Sequence, residues 1–314
     1  TTERPALSDI LPKVLKAGEC AGILNKDGEE ILGLPSGIPV APAEGDQPAS
    51  LAGSLIGEPG MVAVSFGTSV CANSMGDRPF KGVHPGVDHF CAVDGRPINM
   101  VWRRNGTTFM NTVVDMFGVA RGDSEKGASF EALMPLASQA PADCGGLLAL
   151  PFVDDEPGVG VHRGGTALMI GLRPDNALPG NLVKAAFLAP VFNMRSGFDV
   201  LEEQGFPRHE IILSGGLTQT PSLGQVLADA THTPVTLFDS SSEGCAWGAA
   251  IMACYTHARR EGNNTSWSQF LKGLSRDGGI RFEPQEDAAA IYDACYNRFM
   301  KLLATQDDLD HALT

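Results

Sequence analysis

The sequence predicts an α/β protein built on one mixed sheet with helices on its faces. Three observations predict it. Apolar, β-branched runs separated by short glycine turns cluster between residues 61 and 102, and strand and helix patterns alternate after Gly205. The third is composition: 314 residues, 43% hydrophobic and 19% charged, which is what a chain with a buried core needs. Hairpins followed by β-α-β-α order produce both pairing senses in one sheet, with helices to cover it.

The elements follow in order along the chain. Residues 7–23 read as a loop and a short helix around Pro12, ending at Gly18. Residues 31–41 give a helix end, a Pro-Ser-Gly turn and a short apolar strand from Ile38 to Ala41. After a turn at Glu44-Gly45-Asp46, the run from Gln47 to Gly57 is rich in Ala, Ser and Leu and suits a tightly packed helix, which Pro59-Gly60 closes. Met61 to Phe66, a turn at Gly67-Thr68-Ser69, and Val70 to Met75 form a first hairpin. His89 to Val93, a turn at Asp94-Gly95-Arg96, and Ile98 to Trp102 form a second.

From Thr107 to Phe117 the apolar spacing is helical, with Phe109, Val113, Met116 and Phe117 near one face. Ala128 to Ala137 is a second helix, Leu147 to Phe152 a buried strand, Gly158 to Gly165 a glycine-rich loop, and Ala167 to Ile170 a strand. A long helix covers Leu178 to Glu203, and Pro190 inside it predicts a kink or break that costs ~3 kcal/mol unless compensated. Glu210 to Leu213 is a strand, Gly215-Gly216 a turn, Ser222 to Ala230 a helix, Val235 to Phe238 a strand, and Glu243 to Tyr255 a helix. Residues 256–314 read as polar and helical. This order resembles the ribonuclease-H-like topology of the actin-like ATPases.

Charge excludes several functions. Lys and Arg number 23 against 37 Asp and Glu, a formal net charge of −14. Such a chain has no electrostatic footprint for a nucleic-acid backbone and no polybasic stretch for an anionic membrane. Its apolar runs, such as Ala185 to Phe192, fall short of the ~20 residues that span a bilayer. Seven scattered cysteines with no CxxC pair fit free thiols in a reducing compartment, so a cytoplasmic location is expected.

Four short motifs can carry chemistry. Gly67-Thr68-Ser69, at a hairpin tip, offers backbone N–H groups and hydroxyls to a phosphate, or is an ordinary tight turn. The strand Ile211 to Leu213, followed by Ser214-Gly215-Gly216 and a helix, lets backbone approach an anionic ligand closely; simple strand-to-helix packing is the alternative. Asp46 after Gly45 is placed either to accept a proton from a hydroxyl nucleophile or to cap the helix beginning near Gln47. Gly106-Thr107-Thr108 opens a helix, as an anion contact or as its cap. Arg103, Arg104 and Arg163 are the cations nearest these turns, and solvated side chains are expected of them. The histidines have no metal spacing.

Taken together, the segments resemble the FGGY family of carbohydrate kinases. The likeness runs through LPSGIPVAPAEGDQPASLAGS (34–54), MVAVSFGTSVCANSM (61–75) and RNGTTFMNTVVDMF (104–117). It continues in IILSGGLTQTPSLGQVLADATHTPV (211–235), SEGCAWGAAIMAC (242–254) and IRFEPQEDAAAIYDACYNRFMKLL (280–303), and so covers nearly all of the chain. The resemblance implies ATP-dependent phosphorylation of a ketose or polyol hydroxyl with Mg²⁺. It makes Asp46 the catalytic base, Gln47 a substrate contact, and Gly67 and Thr68 the turn around the terminal phosphates. Gly106, Met110, Gly215, Gly216 and Thr220 would be nucleotide contacts. The expected partners are a small-molecule sugar and ATP, with a homodimer as the candidate assembly.

The chain departs from the family where it reads Val153-Asp154-Asp155-Glu156-Pro157 in place of Gly-Glu-Arg, and where Ala189-Pro190 replaces Glu-Gly in the long helix. The resemblance also implies a division into 1–58, the end of a sugar-side domain, 59–260, the nucleotide-side domain, and 261–314, a helical extension. On the order of 200 residues of the sugar-side domain would then be missing. The chain is accordingly expected to be the C-terminal portion of a kinase, inactive by itself, and opening on Thr1 is in keeping with that. Xylulokinase-like and sedoheptulokinase-like members are the favoured likeness. A glycerol-kinase-like polyol kinase and a catalytically silent nucleotide- or sugar-binding protein are the alternatives.

Overall fold

A computed structural model describes residues 6–123, 127–238, 244–274 and 278–313. Its centre is a seven-stranded mixed sheet: β1 (Met61–Phe66), β2 (Val70–Met75), β3 (Asp88–Cys91), β4 (Pro97–Arg103), β5 (Glu210–Ser214), β6 (Val235–Leu237) and β7 (Ile280–Phe282), in the spatial order β7-β6-β5-β1-β2-β4-β3. The β1–β2 and β3–β4 hairpins are antiparallel, with Phe66 opposite Val70 and Phe90 opposite Ile98. β5 then pairs parallel to β1, Val64 opposite Leu213, and β6 pairs parallel to β5. The short turn of the first hairpin and the strand–helix crossovers later in the chain dictate these senses.

Alternation along β1 divides the core. Val62, Val64 and Phe66 pack with the long helix and its neighbours, while Ala63 joins Leu51, Ile56, Met75, Ile98 and Ile212 in a separate cluster. α1 (Asp46–Gly53) supplies Leu51 to that second cluster. α2 (Thr108–Arg121) and α3 (Ala128–Gln139) follow the second hairpin, and α4 (Pro179–Glu203) fills the main core with Val183, Phe187, Val191, Met194 and Phe198. α5 (Ser222–Thr231) links β5 to β6.

α6 (Gly244–Arg260) crosses α1 at very short range. A Cβ at Gly248 would lie 1.9 Å from the Ala49 carbonyl oxygen, and one at Gly53 would lie 1.9 Å from that of Gly244. Ala49/Gly53 and Gly244/Gly248 are each four apart, so each pair forms a small-residue stripe on one helix face. α7 (Trp267–Lys272) and α8 (Glu286–Leu303) follow later in the chain.

Several sequence expectations need correction. α4 runs through Pro190 without interruption, and Pro190 is buried among its apolar neighbours. Packing along both sides of this helix outweighs the lost hydrogen bond. Residues 256–314 are not helical throughout: Ile280–Phe282 forms an edge strand antiparallel to β6, and Tyr292, Cys295 and Phe299 of α8 enter the main core. The predicted strands around 147–152 and 167–170 shrink to Leu148–Leu150 and Leu168–Ile170, a two-stranded ribbon apart from the central sheet. The short strand expected at 38–41 is Pro39–Val40, paired with Gly22–Ile23. The expected start of α6 at Glu243, with Ser242 before it, lies outside the described residues.

Candidate active site

A cavity of about 940 Å³ opens beside the tip of the β1–β2 hairpin. Its wall brings together Gly67 from the hairpin, Met110 from α2, and Gly216 and Thr220 from the segment after β5. These are four of the expected nucleotide contacts, from three regions spread between residues 67 and 220 of the chain. Phe130 and Met134 of α3 add apolar surface, and Asn111, Ser138 and Ser222 add polar edges. That combination suits a ligand with a flat apolar part and a polar rim.

Two observations on this wall fit a nucleotide. A Cβ at Gly67 would find only the Ser69 carbonyl oxygen, at 3.9 Å, and one at Gly216 only the Phe66 carbonyl oxygen, at 3.8 Å. Neither glycine is imposed by a left-handed φ or by a neighbour, so bare backbone faces open space. Second, the N-termini of α2 and α5 border the cavity at Thr107 and Ser222, where helix N–H groups favour an anion. Among the described lining residues Glu131 is the one charged side chain.

Thr68, Gly106 and Gly215 stand behind this wall. The Gly106 N–H donates to the Thr68 carbonyl at 2.8 Å, and the Thr107 N–H donates to the Gly67 carbonyl at 2.8 Å. A Cβ at Gly106 would lie 2.2 Å from the Gly67 oxygen, so the glycine is required by contact with the turn. Gly215 has φ +84°, and a Cβ there would crowd Phe66 at 2.9 Å. Thr107, not Gly106, is the N-cap of α2.

Asp46 and Gln47 are not on the cavity; they open α1. Gly45 is the N-cap, and exposed Asp46 is the first helical residue. Its carboxylate accepts the Gln47 N–H at 2.9 Å and the Gln47 side-chain amide at 3.2 Å. Gln47 in turn accepts Nδ2 of buried Asn73 at 2.6 Å. β2 thus orients Gln47, and Gln47 orients the carboxylate. The Cys245 thiol, at the start of α6, donates to the Asp46 carbonyl at 3.4 Å. Burial, helped by the charge of Asp46, pushes the Cys71 thiol up to about 11.

Sequence reasoning missed two carboxylates. Glu44 is half-buried, its Oε2 is enclosed with no hydrogen-bond partner, and burial pushes it up to about 7. Glu156 is fully buried and accepts the backbone N–H groups of Arg104 and Asn105. The cations also differ from expectation. Arg103 is not solvated: it is 1% exposed, donates to the carbonyls of Asn193 and Gly86, and burial pulls its pKa down to about 10. Arg104 pairs with Asp155, and Arg163 is exposed.

The strand order, the cleft at the hairpin tip and the helices on both faces define an actin-like ATPase fold. Solved structures agree: a xylulose kinase from Rhodospirillum rubrum superposes with a TM-score of 0.80 at 22% identity, over 96% of this chain and 58% of that one. A Plasmodium falciparum glycerol kinase with ADP gives 0.73 at 15% identity, over 94% and 57%. Residues 62–257 match the model of the C-terminal domain of the FGGY family of carbohydrate kinases, and the chain belongs to that family. Xylulose kinase of Haemophilus influenzae is 25% identical over 300 residues, covering 95% of this chain and 57% of its own length. Ribulokinase of Halalkalibacterium halodurans is 27% identical over 305 residues, covering 94% and 52%. The chain spans about half the length of these curated relatives.

Proposed function

We propose that this chain is the nucleotide-side portion of a kinase that transfers the γ-phosphoryl group of ATP to a hydroxyl of a ketose. The observation that carries this reading is the convergence of Gly67, Met110, Gly216 and Thr220 on one cavity. Met110, Gly216 and Thr220 would hold the nucleoside end, and the Gly67–Thr68 turn the phosphates. ATP with Mg²⁺ would supply the transferable group and the charge neutralisation that phosphoryl transfer requires. Asp46 is the base that takes the sugar hydroxyl proton, and Gln47, held by Asn73, fixes its orientation. The names of the relatives favour a pentulose over a polyol. Residues 1–58 would end a preceding sugar-side domain that supplies most sugar contacts. Seven free cysteines, and no helix among the described residues long and apolar enough to cross a membrane, support a cytoplasmic setting.

Two measurements test this. Calorimetry on the 314-residue chain should detect ADP with a 1:1 stoichiometry; no heat at millimolar ADP defeats the nucleotide assignment. In the longer protein from which the chain would derive, ADP release coupled to a panel of pentuloses, heptuloses and polyols should identify the acceptor. Asp46→Asn there should lower kcat by about 10²–10⁴ with the KM for ATP little changed. Wild-type turnover in that variant removes Asp46 from the chemistry.

A further inference from the structure

Glu156 does not line the cavity, yet both oxygens of its carboxylate are hydrogen-bonded, chiefly to the residues that lead into α2. Its backbone is pinned by an antiparallel bridge to Val161: the Glu156 N–H donates to the Val161 carbonyl at 2.8 Å, and the Val161 N–H returns at 3.1 Å. The side chain so aimed takes the Arg104 N–H on Oε1 at 3.0 Å. Oε2 takes the Asn105 N–H at 2.9 Å, Asn105 Nδ2 at 3.1 Å and Asn193 Nδ2 at 3.2 Å. Hydrogen bonds to a carboxylate buried away from water are stronger than the same bonds in water.

The next two residues face the other way. Gly106 and Thr107 donate to the carbonyls of Thr68 and Gly67, so four consecutive N–H groups, 104–107, are divided between Glu156 and the hairpin tip. Planar peptide units leave little freedom to turn one of these donors without disturbing the next. The Gly67 and Thr68 carbonyls, engaged at 106–107, keep their negative ends off the phosphates that the same turn would bind.

Resting on the nucleotide reading above, we infer that Glu156 is a positioning residue for the polyphosphate end of the ligand. It acts through residues 104–107 on the Gly67–Thr68 turn and does not act on Gly216, Leu217 and Thr220, which belong to other elements. The test titrates the chain with ADP and with adenosine. Glu156→Gln turns one acceptor into a donor facing donors, and should weaken ADP about tenfold while adenosine changes less than about twofold. Equal loss for both ligands, or unchanged ADP, overturns the inference.

Should Glu156→Gln lose its cooperative melt, Asn105→Ala is measured in the same way. It removes the clamp between Glu156 and the carbonyls of Asp154 and Asp155 while leaving the Glu156 carboxylate itself in place. Amide exchange gives a readout that needs no nucleotide: the Gly106 and Thr107 N–H groups should exchange faster in either variant. Wild-type exchange at both positions overturns the coupling. A wild-type chain that binds neither ligand defeats the nucleotide reading instead.

Discussion

The α1–α6 crossing and the wall of the cavity both depend on glycine, for opposite reasons. At the crossing, Gly53 and Gly248 are closed against carbonyl oxygens 1.9 Å from where a Cβ would stand. On the wall, Gly67 and Gly216 have nothing nearer than 3.8 Å. The first pair lets two helices touch and thereby holds α1, whose first residue is Asp46, against α6. The second pair leaves backbone uncovered for a ligand. A glycine's role is thus decided by what surrounds its missing Cβ, and the two roles separate stability from binding.

Substitution can break that distinction or sharpen it. The largest effect is expected at the crossing, where Gly248→Ala should cost ~3 kcal/mol because rigid backbone must yield. Urea unfolding measures this, and an unchanged midpoint would mean that the helices separate freely. On the wall, Gly216→Ala should leave stability within ~0.5 kcal/mol and weaken ADP about tenfold. Loss of stability with ADP affinity retained would reverse the two roles.

The smallest effect belongs to Glu44, near the crossing. With a folded pKa of about 7, raised by burial from an ordinary value of 4.5, the folded state keeps a proton that the unfolded chain releases. Stability should therefore fall as pH rises from about 4.5 through 7, a trend that Glu44→Gln removes. Because the side chain is only half-buried, solvent screening limits the gain of the variant at pH 8 to ~1 kcal/mol, with none at pH 4. Parallel pH profiles for the two proteins would show that Glu44 is well solvated.

Much of this architecture was legible in the sequence, and the exceptions have physical causes. The two hairpins and the β5-α5-β6 run carry strong alternation and glycine turns, and they stand where expected. β7 was missed because three residues after Gly278-Gly279 have no periodicity of their own; pairing with β6 makes them a strand. Pro190 was read by its local cost, which the surrounding core outweighs. The spacing of four in Ala49/Gly53 and Gly244/Gly248 was a readable sign of close helix contact. Nothing in the sequence comparably marked Glu44 or Glu156, since a single acidic residue shows neither its depth nor its partners.

The sequence by itself determined the kinds of element, most of their order, the family likeness and the acidic balance of the chain. Each of these is carried by local pattern or by composition. Only the tertiary structure decided that Gly67 and Gly216 share a cavity wall while Gly106 and Gly215 brace it from behind. It likewise decided that one glutamate is saturated with donors and another is left with an oxygen unpaired. The reason is that a polar group's energy and a glycine's purpose depend on neighbours brought in from distant parts of the chain.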